Sequence, residues 1–212
     1  MTTTLSAALA AMPVVAILRS SSADRFPEVA DTLRRGGIRA IEFTLTTPGV
    51  LAALREYTQD LPDGLTLGAG TVTTPREAEA AVAAGAAYLI TPATQPEVIA
   101  EARRLGVPVL PGALTPTEIL TAWHAGASMV KLFPAAVGGP EYLRAVRAPL
   151  PGIPLVPTGG IGLDDAPGYL RAGATALGMG SPLVGDACES GDLSALADRT
   201  ARLVDLVTGA RG

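Results

Sequence analysis

The sequence predicts an α/β fold in which eight parallel strands alternate with helices, and three observations predict it. Short apolar or β-branched runs recur in regular alternation with Ala/Leu/Glu/Arg-rich stretches of helical periodicity. Gly or Pro punctuates most of the junctions between them. The phrases AAGAAYLI, HAGASMVK and RAGATALGM repeat one design, a helix stop feeding directly into a buried strand. At 212 residues this is the pattern of a (β/α)8 TIM barrel at the short end of its size range, preceded by a short N-terminal helix. A doubly wound open sheet also alternates strand and helix, but it usually shows a glycine-rich turn after its first strand. Here that strand ends in Leu18-Arg19-Ser20-Ser21, and the glycine-rich turns come last.

Taken in order, a first helix is expected at Leu5–Ala11, followed by strands at residues 14–19, 40–46, 65–71, 88–91, 107–111, 129–133, 155–158 and 176–180. Helices are expected between them at residues 23–35, 49–59, 75–84, 95–105, 116–125, 140–147 and 163–172, with a last one at 193–207. Thr74-Pro75, Thr115-Pro116 and Gly139-Pro140 place a cap or loop residue before a proline at the first helical position, where its missing N–H costs nothing. Gly36-Gly37, Gly85, Gly106, Gly126 and Gly173 follow helical runs, as left-handed helix terminators do.

No composition shift marks a linker, so one domain over residues 1–212 is expected. Apolar residues make up 48% and aromatics only 4%, so the core is built from Ala, Val, Leu and Ile. A net charge of -4 with scattered arginines argues against nucleic acid, whose phosphates demand a basic face. A single cysteine, Cys188, permits neither an intrachain disulfide nor a thiol metal cluster, which fits a reduced cytoplasm. In the apolar opening segment the first basic residue, Arg19, follows the apolar run, the wrong order for a secretory signal. No apolar run of membrane-spanning length lacks Pro, Gly or charge, so no membrane partner is expected.

The candidate chemistry centres on Lys131, the one lysine among sixteen basic residues. Arg replaces Lys in most surface roles but cannot form an imine. In the strand at 129–133, Val130 and Leu132 face the helices and Lys131 the barrel interior, where burial lowers its pKa and frees the amine for attack on a carbonyl. A structural ion pair is the competing reading. In the strand at 40–46, Ile41, Phe43 and Leu45 share one face, leaving Glu42, Thr44 and Thr46 on the interior face. Glu42 there pairs with Lys131 and moves protons, or forms an ion pair that only sets packing. The turns Pro157-Thr158-Gly159-Gly160-Ile161 and Gly178-Met179-Gly180-Ser181 follow strands seven and eight, where barrels often bind phosphate through backbone N–H groups. Arg19 and Thr71 close strands one and three, each a carboxylate ligand or, alternatively, a rim salt bridge and a helix cap. His124, late in a helix, reads as a surface residue, and Cys188 falls in a loop at residues 186–191; no His/Asp/Glu spacing suggests a metal.

The stretches AILR, IEFTLTTP, GAGTV, PGALTPTE, KLFPA, VPTGG and GMGSPLV occur in order across nearly the whole chain. Together they closely resemble the class I 2-keto-3-deoxy-6-phosphogluconate (KDPG) aldolase family, which includes 4-hydroxy-2-oxoglutarate and 2-keto-3-deoxy-6-phosphogalactonate aldolases. The resemblance implies a TIM-barrel homotrimer, without metal or organic cofactor, that cleaves a phosphorylated 2-keto-3-deoxy sugar acid to pyruvate and glyceraldehyde 3-phosphate. It puts the Schiff base on Lys131 beside Phe133 and Pro134, proton transfer on Glu42, and the pyruvate carboxylate on Thr71. The pocket is lined by Thr91-Pro92, and the phosphate is held by Thr158, Gly159, Gly160, Gly180 and Ser181. Many members carry an arginine where this chain has Thr46, which makes Arg19 the available guanidinium and leaves the choice among the three substrates open. Two rivals remain beside the aldolases: another phosphate-binding barrel enzyme, an isomerase or synthase, and a non-enzymatic sugar-phosphate binding protein.

Overall fold

The computed structural model describes residues 4–210. A helix α1 (Leu5–Ala11), its N-terminus capped by Thr4 Oγ1 accepting from Ala7 N, precedes β1 (Val14–Leu18). There follow α2 (Phe26–Arg35), β2 (Ala40–Thr44), α3 (Val50–Gln59), β3 (Thr66–Gly70), α4 (Pro75–Ala83), β4 (Leu89–Ile90) and α5 (Pro96–Arg104). The second half comprises β5 (Val109–Leu110), β6 (Gly112–Ala113), α6 (Pro116–Ala125), β7 (Val130–Leu132), α7 (Gly139–Arg147), β8 (Leu155–Pro157), α8 (Ala166–Arg171) and β9 (Leu177–Met179). Two short helices, α9 (Ser181–Val184) and α10 (Ala187–Ser190), lead to the long α11 (Leu193–Gly209).

All strand pairs are parallel, in a six-stranded sheet ordered β5-β4-β3-β2-β1-β9 and a three-stranded sheet ordered β6-β7-β8. Two apolar clusters divide the residues of each strand by parity. Val14, Ala16 and Leu18 pack outward against the helices. Val15 joins Ala40, Tyr88, Ile90, Leu110, Val156 and Ala176 in a second cluster, covered by Leu5, Ala8 and Leu9 of α1. Strands far apart in sheet order meet there, which a flat sheet does not allow. The sheets therefore curl around a common interior with α1 across its floor.

Several elements differ from the sequence expectation. The strand expected at 40–46 ends at Thr44, where Thr47 N turns back to Thr44 O at 3.0 Å. The strand expected at 107–111 splits around Pro111, which has no N–H to give the ladder. The segment expected as one helix at 163–172 opens with a 3-10 turn, Leu163–Asp165, before α8. Residues 186–191 are not a loop: they contain α10, so Cys188 is helical and buried. Thr74 and Thr115 form capping boxes with Glu77 and Glu118, as their spacing predicts.

On the interior face of β3, Gly68 and Gly70 follow Thr66 because their neighbours need the room. A Cβ on Gly68 would lie 2.3 Å from the fully buried Tyr88 ring. We expect Gly68→Ala to cost about 1–3 kcal/mol in urea denaturation, the range for overpacking a filled core. The cost should shrink sharply when Tyr88→Ala is combined with it; additive losses would show that the ring is not the obstacle.

Candidate active site

Lys131 occupies the middle of β7, in register with Gly112 on one side and Val156 on the other. Its side chain is buried, and Nζ lies 4.8 Å from the centroid of the Phe133 ring, a cation–π distance. Glu42 occupies the middle of β2, in register with Ile17 and Gly68, and is 1% exposed. A Cβ at Gly70 would fall 1.6 Å from Glu42 Oε1, so glycine at 70 makes room for the carboxyl. Glu42 Oε2 is buried without a hydrogen-bond partner.

Burial controls the ionisation of both groups. It pushes the Glu42 carboxyl above its ordinary range, against the opposing pull of Lys131 and then Arg19. It pulls the Lys131 amine below its ordinary value, with Glu42 opposing and Arg19 reinforcing. Desolvation thus favours the neutral form of each group, while mutual attraction restrains the shift. The two side chains are close enough to feel each other's charge.

Both line one cleft of about 260 Å³. At one end Arg19 Nη2 donates to Thr71 Oγ1 at 3.3 Å. Thr71 holds a φ of 59°, the one positive φ of a non-glycine among the described residues, and a β-branched residue there is strained. It does not cap α4; Thr74 does. At another side Pro92 and Phe133 form walls. Thr158, Gly159, Gly160, Gly180 and Ser181 complete the lining. Gly159 and Gly160 take φ of 93° and 75°, a turn closed to side-chain-bearing residues at low cost. Ser181 opens the four-residue α9, where Leu183 N and Val184 N both donate to Gly180 O at 2.9 Å and Pro182 has no N–H.

Of the predicted site residues, Thr46 and Thr91 are absent from the cleft lining: β2 has ended before Thr46, which is exposed, and Thr91 is buried with its Oγ1 donating to Ala93 O. Its neighbour Thr47 is buried and bonds inward to Ser20 N and Thr44. The sequence reading missed Pro182, Val184 and Gly185, which also line the cleft, because four-residue helices have no periodicity to read. It also missed the floor residue Tyr88, whose Oη donates to Ile41 O at 2.8 Å. His124 is exposed on α6, and burial pushes the Cys188 thiol up to about 11. Among the described residues no three His, Cys, Asp or Glu side chains gather as a metal-ligand set, and no helix is long and apolar enough to cross a membrane.

Comparison with known proteins places these residues in context. A family model described as "Aldolase: KDPG and KHG aldolase" matches residues 5–198. A 2-dehydro-3-deoxy-phosphogluconate aldolase of Pseudomonas aeruginosa is 42% identical over 160 residues, covering 75% of this chain and 71% of its own. A "Probable 2-dehydro-3-deoxy-6-phosphogalactonate aldolase" of Rhizobium meliloti is 35% identical over 198 residues, 93% of each chain. The solved structure of a KDPG aldolase from Legionella pneumophila, with pyruvate captured as a covalent carbinolamine, superposes with a TM-score of 0.82 at 30% identity, covering 95% of this chain and 98% of its own.

The pKa shifts predict a stability cost carried by the site. Because Glu42 is shifted up, the folded state holds its proton longer than the unfolded state, so this group's contribution falls as pH rises above the ordinary value near 4.3. Lys131, shifted down, destabilises at all pH below its lowered value and ceases to do so as pH approaches the ordinary value near 10.4. The paired variant Lys131→Met with Glu42→Met should therefore be about 1–4 kcal/mol more stable than wild type at pH 7, the range for replacing a buried pair by apolar residues of similar volume. Below pH ~4.3 the Glu42 share of that gain should vanish. Chemical denaturation across pH checks it; a double variant less stable than wild type at neutral pH contradicts it.

Proposed function

We infer the reaction from a plain premise: this chain belongs to the KDPG and KHG aldolase family. It is a class I aldolase, a carbon-carbon lyase that cleaves 2-keto-3-deoxy-6-phosphogluconate to pyruvate and glyceraldehyde 3-phosphate. The observation that carries this reading is the buried Lys131 amine sharing one cleft with the buried Glu42 carboxyl, a guanidinium, a threonine hydroxyl and glycine turns.

In the mechanism we propose, the neutral Lys131 amine adds to the C2 ketone, and Glu42 relays protons as the carbinolamine loses water to an iminium. The iminium is the electron sink. Glu42 accepts the proton of the C4 hydroxyl, the C3–C4 bond breaks, and its electron pair enters the enamine of pyruvate as the aldehyde leaves. Reprotonation at C3 and addition of water release pyruvate and restore the amine. Arg19 and Thr71 are suited to bind the C1 carboxylate, with Pro92 and Phe133 walling the reacting carbons. The Thr158, Gly159, Gly160, Gly180 and Ser181 turns suit a terminal phosphate, because glycine lets backbone N–H groups approach the anion without interposed side chains.

The galactonate isomer is the second substrate reading, supported by the Rhizobium meliloti relative matching 93% of this chain. The phosphate-free 4-hydroxy-2-oxoglutarate, cleaved to pyruvate and glyoxylate, is the third. We read the two sheets as one closed (β/α)8 ring and one domain. The isolated parallel bridge between Thr158 and Gly178 supports closure at one seam, and the chain's passage through Pro111 from β5 to β6 supports it at the other. A cytoplasmic homotrimer completes the proposal.

Borohydride added with pyruvate should leave one reduced three-carbon adduct, mapped by peptide mass spectrometry to Lys131 rather than to the N-terminal amine. Lys131→Arg should release no pyruvate from any of the three substrates, and Glu42→Gln should lose about 10²–10⁴ in kcat. Turnover surviving Lys131→Arg would instead indicate an isomerase or synthase, and binding without pyruvate release a sugar-phosphate binding protein.

A further inference from the structure

We propose that Glu189 is a positioning residue for the carboxylate end of the cleft: it fastens the loop after β1 to α10 and so fixes where Arg19 enters the pocket. The inference rests on the aldolase reading and deepens it. Glu189 Oε1 accepts from Ser21 N, and Oε2 accepts from Ser21 Oγ, both at 2.7 Å. A carboxylate gripping one residue through its N–H and its O–H at once makes two charge-assisted bonds of defined direction. Those bonds hold the Glu189 carboxyl below its ordinary range, so the latch is anionic at neutral pH.

The rest of the loop is held to match. Ser20 Oγ donates to Cys188 O at 3.3 Å on the α10 side. On the opposite side Ser20 N donates to Thr47 Oγ1 at 3.3 Å, and Ala23 N donates to Pro48 O at 3.1 Å. Residues 20–23 are thus pinned between α10 and the turn after β2, and Arg19 is the residue immediately before them. The Arg19 side chain is long and exposed, so confining it near Thr71 costs rotamer entropy that a wandering backbone would increase.

The anchor itself is firm. Arg199 of α11 donates Nε to Leu183 O and Nη2 to Val184 O, both at 2.8 Å, tying down the end of α9. Residues 181–190 therefore form a bracket that starts at the glycine turn beside Ser181 and ends on the Arg19 loop. Glu189 is its terminal contact, joined to Ser21 across 168 residues of sequence.

The test uses the full-length enzyme as wild type, Glu189→Ala, Glu189→Gln, Ser21→Ala and the Glu189→Ala/Ser21→Ala double variant. Steady-state kinetics are read on the phosphorylated gluconate substrate and on phosphate-free 4-hydroxy-2-oxoglutarate. Glu189→Ala should raise KM about tenfold on both, since both carry the 2-keto carboxylate, with kcat changed by no more than about twofold. Glu189→Gln, which keeps an oxygen for Ser21 N, should recover most of the loss. The double variant should be no worse than Glu189→Ala alone. An unchanged KM, a KM effect confined to the phosphorylated substrate, or a loss of kcat alone overturns the proposal. Hydrogen exchange gives a readout independent of turnover: amides 19–23 should exchange about tenfold faster in Glu189→Ala. If wild type releases no pyruvate, the aldolase reading fails by itself, and unchanged exchange at those amides still overturns the latch.

Discussion

A primary amine and a carboxyl group sit almost wholly buried along one cleft, and most of the remaining architecture follows from keeping them there. In water each would be fully charged at neutral pH; inside the curled sheets, desolvation works against both charges, and only their mutual attraction restrains the shift. A site of this kind costs stability, because withdrawing an ion from water carries a penalty of several kcal/mol even after relaxation. The fold offsets it with two apolar layers, one between strands and helices and one beneath the site, where Val15, Tyr88, Ile90, Leu110 and Val156 pack on α1. That lower layer also excludes water from below, so solvent and substrate share the one open end.

Holding the pair requires space as well as dryness. The space comes from the strand next to Glu42, where Gly68 yields to the Tyr88 ring and Gly70 to the carboxyl itself. Tyr88 in turn donates to Ile41 O, one residue before Glu42, so the ring that fills the gap left by Gly68 also braces the backbone carrying the acid. Gly112, beside Lys131 in register, is small for a different reason: a Cβ there would lie 2.2 Å from the backbone oxygen of Pro92, in the loop after β4. Small residues on the interior face are therefore not loose packing. Gly68 and Gly70 are the complement of the Tyr88 ring and the Glu42 carboxyl on adjacent strands, and those pairs must change together.

What the sequence revealed follows from which forces are local. The alternation of Ile41, Glu42 and Phe43, and of Val130, Lys131 and Leu132, is a period of two that reports directly which side chains turn inward, and the structure places both polar residues there. Capping boxes at Thr74 and Thr115 are equally legible, because a hydroxyl and a carboxylate three residues apart need nothing from elsewhere in the chain. The failures lie where the deciding partner is distant. Residues 181–190 fold as two single-turn helices held by Arg199 and Ser21, contacts separated by 15 to 168 residues that no local period encodes. The turn that leaves Thr46 outside is fixed by Thr47 reaching Ser20 on the next strand's loop, again a tertiary contact. Strand alternation carried past Thr44 assigned Thr46 to the interior because it assumed a ladder that had already ended.

The same turn bears on how such a site can vary without losing its chemistry. β1 and β2 are neighbours, with Leu18 in register with Phe43, so side chains leaving the ends of these two strands emerge at the same rim. An arginine reaches far enough that a guanidinium from either strand end serves one anion, and in the proposed mechanism Arg19 supplies it while position 46 is released to solvent. The turn at Gly159 and Gly160 has no comparable freedom, because both residues hold left-handed backbone that favours glycine. Replacing one residue there changes the path of the chain rather than one side chain. In the proposed mechanism all three substrates carry the same 2-keto carboxylate, so exchanging its guanidinium between strand ends preserves the chemistry, and substrate choice is left to the groups that meet the rest of the molecule.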